Sequence, residues 1–281
     1  MATRRKRRQR RTSLIRMILF MLAVLMVLLA ALVYGNQRPP VEPLPIDTTP
    51  SVPAANPYMD ITFTPNEMGY LTSDTVDCIP GIDVSSHQGT IDWASVKASG
   101  ISFAFIRLGY RGYDTGTLHR DEQATQNLLG AKAAGLQIGA YFFSQAITAE
   151  EAQEEARYAL DILDGLELDL PLAYDWEYVA ESARTGAVTT DVLLECVHAF
   201  CAEANRAGYE PMVYFNPDLA NTRLDLAQVS CYDFWLAFYS DEMTFPYQVR
   251  FWQYSDRGTV PGIEGNVDLD VYFPSPTSFR R

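Results

Sequence analysis

The sequence predicts an α/β fold: a modified TIM-like (β/α) barrel of eight strands, the last three lacking full helices, preceded by a single transmembrane helix. Three observations carry this expectation. From Pro80 onward, strand-like and helix-like segments alternate, the pattern of a parallel sheet covered by helices. After the fifth strand and its short helix, three more strands follow with only short connections. No GxGxxG or GxxxxGK[ST] loop follows an early strand, as a doubly wound open sheet would show.

In chain order, Gly81-Ile82-Asp83-Val84 is a short buried strand. Ile91 to Ser99 is a helix, with Trp93, Val96 and Lys97 at helical spacing. Ser102 to Arg107 is the second strand, and Asp121 to Ala134 a helix stopped by Gly135. Gln137 to Phe143 is the third strand. Thr148 then caps a helix running to about Leu163, with Glu151 placed as in a capping box. Leu170 to Glu177 is the fourth strand, followed by a helix from Thr190 to Ala207 that Gly208 ends. Pro211 to Phe215 is the fifth, with a short helix over about 217–227. Asp233 to Tyr239, Gln248 to Tyr254 and Val267 to Tyr272 complete the eight.

The segment ahead of the barrel has a different composition. Residues 1–16 form a basic tail, and with the apolar stretch they give residues 1–34 eight Lys/Arg and no acid. Residues 17–34 are apolar from Met17 to Val33, long enough at 1.5 Å per residue to approach a hydrocarbon core of about 30 Å. Leu32-Val33-Tyr34-Gly35 is a poor cleavage site, so the stretch reads as an uncleaved anchor. The flanking arginines place the N-terminus in the cytoplasm and the remainder outside the cell membrane. Residues 35–78 begin with seven prolines between Pro39 and Pro57 and read as an extracellular linker, its last part, 58–78, either packed on the domain or extending the spacer. The barrel domain is expected over 79–281.

The formal net charge is −13, and +8 for residues 1–34 and −5 for 35–78 leave −16 on the domain. So acidic a surface excludes nucleic acid as its partner. Four cysteines in an exported domain permit disulfides; Cys196 and Cys201 also fit as buried thiols on a helix. No zinc spacing and no HExxH occur, so no metal or other cofactor is expected. There is no GxSxG elbow. His87 follows the first strand, where it could line the pocket or make a loop hydrogen bond; His198 falls on a helix surface.

Chemistry in such a barrel sits at the C-terminal strand ends, and here those ends are acidic. Asp83 ends the first strand, Asp175 and Glu177 end the fourth, and Asp268 lies in the last with Asp270 two residues on. Asp175 and Glu177 share one side of their strand, Cα atoms about 6–7 Å apart. Two carboxylates so placed repel, and one keeps its proton, as general-acid chemistry requires. Glu150, Glu151, Glu154 and Glu155 read instead as an exposed helix face. Aromatics at strand ends, including Tyr141, Tyr214 and Trp252, suit sugar rings, whereas Phe105, Trp235 and Phe251 read as core.

Four motifs, in order, are similar to those of glycoside hydrolase family 25, the N-acetylmuramidases or lysozymes. They are Gly81-Ile82-Asp83-Val84-Ser85 with His87-Gln88-Gly89; Ala173-Tyr174-Asp175-Trp176-Glu177; Phe251-Trp252-Gln253-Tyr254; and Gly265-Asn266-Val267-Asp268-Leu269-Asp270. The resemblance covers about residues 79–273. It implies hydrolysis of the β-1,4 bond between N-acetylmuramic acid and N-acetylglucosamine in peptidoglycan. Glu177 would be the general acid and Asp175 its assistant, either through the substrate's own acetamido group or in an inverting displacement. Asp83, Asp268, Tyr141, Tyr214 and Gln253 would bind substrate. Where many members carry His after Gly-Ala-Tyr, this chain has Phe142, a departure at one subsite contact. Two alternatives stand beside this reading. One is a non-catalytic glycan-binding module on the same barrel. The other is a chitinase-like barrel, whose Asp-x-x-Asp-x-Asp-x-Glu run is absent before Glu177.

Overall fold

A computed structural model of the protein describes residues 45–274. Eight strands form the barrel: β1 (Ile79–Val84), β2 (Phe103–Arg111), β3 (Gln137–Ser144), β4 (Leu172–Trp176), β5 (Pro211–Phe215), β6 (Asp233–Ala237), β7 (Phe251–Gly258) and β8 (Val267–Tyr272). They stand in sequence order around the ring, and pairing of β1 with both β8 and β2 closes it. Helices α1 (Trp93–Ala98), α2 (Ala124–Ala133), α3 (Ala149–Leu163), α4 (Thr190–Arg206) and α5 (Pro217–Thr222) follow β1 to β5 in turn. Among the described residues no helix separates β6, β7 and β8, as the sequence pattern predicts. The helix expected over 217–227 ends at Thr222 and continues as turns.

The parallel arrangement has one exception. β8 runs antiparallel to both β7 and β1. The linking segment, 259–266, is shorter than the dozen or so residues a parallel crossover needs, so the chain turns back as a hairpin. The connection from β6 to β7 spans 238–250, and that pair is parallel.

The barrel interior is packed by aromatic rings below its open end. Phe105 stacks on Trp235 at 4.5 Å between centroids and Phe251 on Tyr272 at 4.6 Å, with Phe103 edge-on to Phe105. Two glycines make room: a Cβ at Gly81 would collide with the Phe103 ring, and one at Gly139 with that of Phe105. Phe105, Trp235 and Phe251 are therefore core, as expected. A second apolar layer lies between the strands and the helices, where Cys196 and Cys201 are buried thiols on α4. Burial pushes the Cys196 thiol up to about 12.

The proline-rich segment departs from the linker reading over residues 51–56, and residues 58–76 take the packed one of the two alternatives. Ser51 N donates to Ala227 O and Gln248 N to Ala54 O, and the Asn56 amide donates to the carbonyls of Met243 and Phe245. Tyr58 stacks on Phe273 at 4.1 Å and Phe63 meets Trp252 edge-on at 5.4 Å. Tyr58, Phe63, Tyr70, Leu71 and Val76 are all buried. The physical reason lies in the missing helices. The outer faces of β7 and β8 carry Trp252, Tyr254, Leu269 and Val271, which need an apolar cover, and residues 58–76 supply it. The anchor expected over 17–34 lies outside the described residues; among those described, no helix is long and apolar enough to cross a membrane.

Candidate active site

The reversal of β8 decides which residues meet. In a strand parallel to the rest, Asp268 would sit at the closed end. Running the other way, it stands in register with Asp83 at the open end, where the carboxyl ends of the parallel strands converge. Alternation along each strand then points Asp83, Asp175, Asp268 and Asp270 into the barrel, with Glu177 just beyond β4 on the same side. Four of the acids named from sequence are thus gathered in one pocket, with Asp270 as a fifth.

Hydrogen bonds tie the acids into two groups. Asp175 and Glu177 are bonded directly to each other. Asp83 is bonded to both Asp268 and Asp270. Gln253 Nε2 donates to Asp83 Oδ2 at 2.6 Å, and its Oε1 accepts from the Tyr214 hydroxyl at 3.0 Å. Trp235 Nε1 donates to Asp270 Oδ1 at 2.8 Å. Tyr141 stands edge-on to Trp235 at 5.8 Å between centroids. Tyr141 and Tyr214 are each only 8% exposed, so little of either ring is open to a ligand.

Burial is the first cause of every shift in this pocket. It holds Asp83, Asp175 and Asp270 well above the usual carboxylate range, reinforced for Asp83 by the charge of Asp268 and for Asp175 by that of Glu177. Glu177 is raised as well, and Asp268 is pushed up to about 6. The Asp175–Glu177 bond needs a proton, which burial and mutual repulsion lead the two carboxyls to share. Arg107 supplies positive charge near Asp175 and Tyr141. Its guanidinium is held by Asp121 at 2.9 Å and by Ser86 Oγ at 3.3 Å.

Several residues escape a reading by strand ends. Arg107 is one, since it lies inside β2 before the bulge at Gly109. Gln145 is another: fully buried, its amide donates to the Glu177 carbonyl at 2.7 Å and accepts from Thr185 Oγ1 at 3.2 Å. Arg184 donates to the Gln145 carbonyl at 2.6 Å and pairs with Glu151 at 2.6 Å. Glu151 is therefore no idle surface acid, and its carboxylate also accepts from Ile147 N, one residue earlier than a capping box has it. Glu155, also read as surface, is completely buried. His87 is exposed on the turn Ser86–Gln88. His198 bonds the Tyr232 hydroxyl at 3.0 Å. Phe142 faces out of the barrel against Tyr158, so the departure at that position falls in the outer core, away from the pocket.

A family model described as glycosyl hydrolases family 25 matches residues 82–263. The chain belongs to glycosyl hydrolase family 25. It is 30% identical to lysozyme M1 of Streptomyces globisporus over 204 residues, which cover 69% of this chain and 67% of that protein. Among solved structures, the family 25 chain resembles the bacterial lysozyme of Streptomyces coelicolor with TM-score 0.58 and 27% identity, covering 71% of this chain and 94% of that one. It also shares the fold of the modular autolysin LytC of Streptococcus pneumoniae, solved with a synthetic peptidoglycan ligand, at TM-score 0.63 and 24% identity. That match covers 76% of this chain and 52% of LytC, so the chain spans about half of that modular protein. Membership makes it a glycoside hydrolase of the lysozyme type.

Proposed function

We propose that this chain hydrolyses the β-1,4 bond between N-acetylmuramic acid and N-acetylglucosamine in peptidoglycan, with Glu177 as general acid and Asp175 assisting. The observation that carries the reading is the proton-sharing pair Asp175–Glu177, set opposite Asp83, Asp268 and Asp270 at the open end of the barrel. Glu177 is the more exposed of the two, so it is the carboxyl a glycosidic oxygen can approach. The shared proton passes through Glu177 to the leaving oxygen. Asp175 is left as an anion, suited to hold the N–H of a 2-acetamido group while that group's oxygen attacks the anomeric carbon. Direct contact between the two carboxyls leaves no room between them for the water of an inverting pair, which needs about 6.5–9.5 Å. This favours the acetamido-assisted route. Asp83, Asp268, Tyr141, Tyr214 and Gln253 bind the sugar, and Arg107 moderates the charge of Asp175.

The cellular reading goes with it. The basic tail 1–16 and apolar stretch 17–34 anchor the chain in the cell membrane with the barrel outside, which suits local remodelling of the wall. Cell fractionation with protease added from outside tests this: a barrel free in the medium, or protected from protease, overturns it.

The activity is tested on purified peptidoglycan by identifying new reducing ends after borohydride reduction. Wild-type protein yields muramic-acid ends, and Glu177→Gln lowers their rate of appearance by about 10³-fold. Retained wall binding without cleavage by either protein would favour a glycan-binding module.

A further inference from the structure

The N-terminal segment does more than cover β7 and β8. Its strands Thr64–Pro65 and Leu71–Thr72 pair as an antiparallel hairpin, turned around Asn66, whose Oδ1 accepts from the backbone of Met68 and Tyr70. Facing this hairpin are the loop after β6 and the rim of the β7–β8 turn, and a groove of about 720 Å³ lies between them. Tyr239 belongs to both the groove and the acid pocket. It lines the groove, and its hydroxyl donates at 3.3 Å to Gln253 Oε1, the amide that holds Asp83. The groove therefore begins where the acid cluster ends.

Its walls have a definite chemistry. Met68 and Tyr239 are 42% and 56% exposed, large apolar surfaces that nothing among the described residues covers. Ser240, Ser255 and Thr259 place hydroxyls along the same groove. Asp241 and Asp256 outnumber the one cation of the lining, Arg257, which is itself paired with Asp256 at 3.5 Å. A pyranose ring offers C–H faces to the apolar surfaces and hydroxyls to the polar groups. A net negative lining disfavours the carboxylates of a wall stem peptide. We infer that this groove is a distal sugar subsite that takes an uncharged N-acetylhexosamine unit of the glycan strand, beyond the bond being cut. The hairpin lies outside the 82–263 matched by the family model, so this wall of the subsite belongs to the chain's own extension. The inference rests on the muramidase reading above.

The test uses the full chain and glycan strands stripped of peptide, sorted by length. For wild type, kcat/KM rises with strand length; in Met68→Asp the long-to-short ratio of kcat/KM falls about fivefold. Affinity for long strands, read in the Glu177→Gln background so that turnover does not deplete them, falls by a similar factor when Met68→Asp is added. An unchanged ratio together with unchanged affinity overturns the subsite. An effect seen only on peptide-bearing strands overturns the sugar assignment in favour of the stem peptide. If wild type cuts no strand, the muramidase reading fails, and the affinity comparison alone decides the subsite: weaker binding by Met68→Asp supports it, equal binding overturns it.

Discussion

Two sets of buried carboxylates lie on opposite sides of the same stretch of barrel wall, and they keep different company. Asp175 and Glu177 face inward from β4. The adjacent residue, Tyr174, faces outward to Ser144 and Glu155. Glu155 meets Arg111 Nε at 2.7 Å, and Ser144 Oγ donates to its second oxygen at 2.6 Å. Burial raises both sets. With a guanidinium and a hydroxyl in contact, Glu155 goes up only to about 7, whereas Asp175, bonded to another carboxyl, is held well above its usual range. The comparison separates two uses of one residue type. An acid facing a cation ties elements together, and an acid facing an acid stores a proton.

The largest effect that would test this difference is expected inside the barrel. Asp175→Asn lowers peptidoglycan hydrolysis by roughly 10²–10⁴-fold and at the same time raises the melting temperature at pH 7, because it removes a buried carboxyl bonded to an acid rather than to a cation. A lower melting temperature would mean that Asp175 holds the fold together, and the contrast with Glu155 would be lost. Outside the barrel the order reverses. Arg111→Met leaves Glu155 without its cation and lowers stability by about 3 kcal/mol in urea unfolding, while the folded fraction still cuts the wall. Equal stability would break the comparison from the other side.

A smaller effect is common to both regions. Folded-state values raised above those of the unfolded chain mean that the native protein binds more protons than the unfolded one once pH exceeds about 4–5. The stabilisation is complete below the unfolded values and is lost as pH climbs through the folded ones. Unfolding free energy should therefore decline by roughly 1–3 kcal/mol between about pH 5 and pH 8. Calorimetry across that range checks the sign, and Glu155→Gln should flatten the slope near pH 7, where Glu155 titrates.

Much of this architecture is legible in the sequence because it follows local rules. Alternating segments, Thr148 as a cap and the lack of helices after β5 give the barrel, and acids at strand ends give Asp83, Asp175 and Glu177. What escapes depends on distant partners. Glu155 looks like any other acid on α3, and only an arginine 44 residues earlier makes it internal. The burial of Tyr58 and Phe63 is set by partners 215 and 189 residues later, Phe273 and Trp252. The direction of β8 escapes as well: a strand read to Tyr254 leaves twelve residues before Val267, and only its extension to Gly258 shortens the link to 259–266, too few for a crossover.

That reversed strand also bears on the order in which the protein becomes active. Asp83 meets Asp268, and the Gln253 amide reaches Asp83 across 170 residues of chain, only when β8 is laid beside β1. Contacts so distant in sequence carry the largest loop-closure cost and are expected to form late in folding. Until the ring closes, the acids of β4 stand without the carboxylates of β1 and β8 across from them. A nascent or half-folded chain would then carry every residue of the cutting site and have no cutting site, so its danger to the wall would begin only once it is fully native.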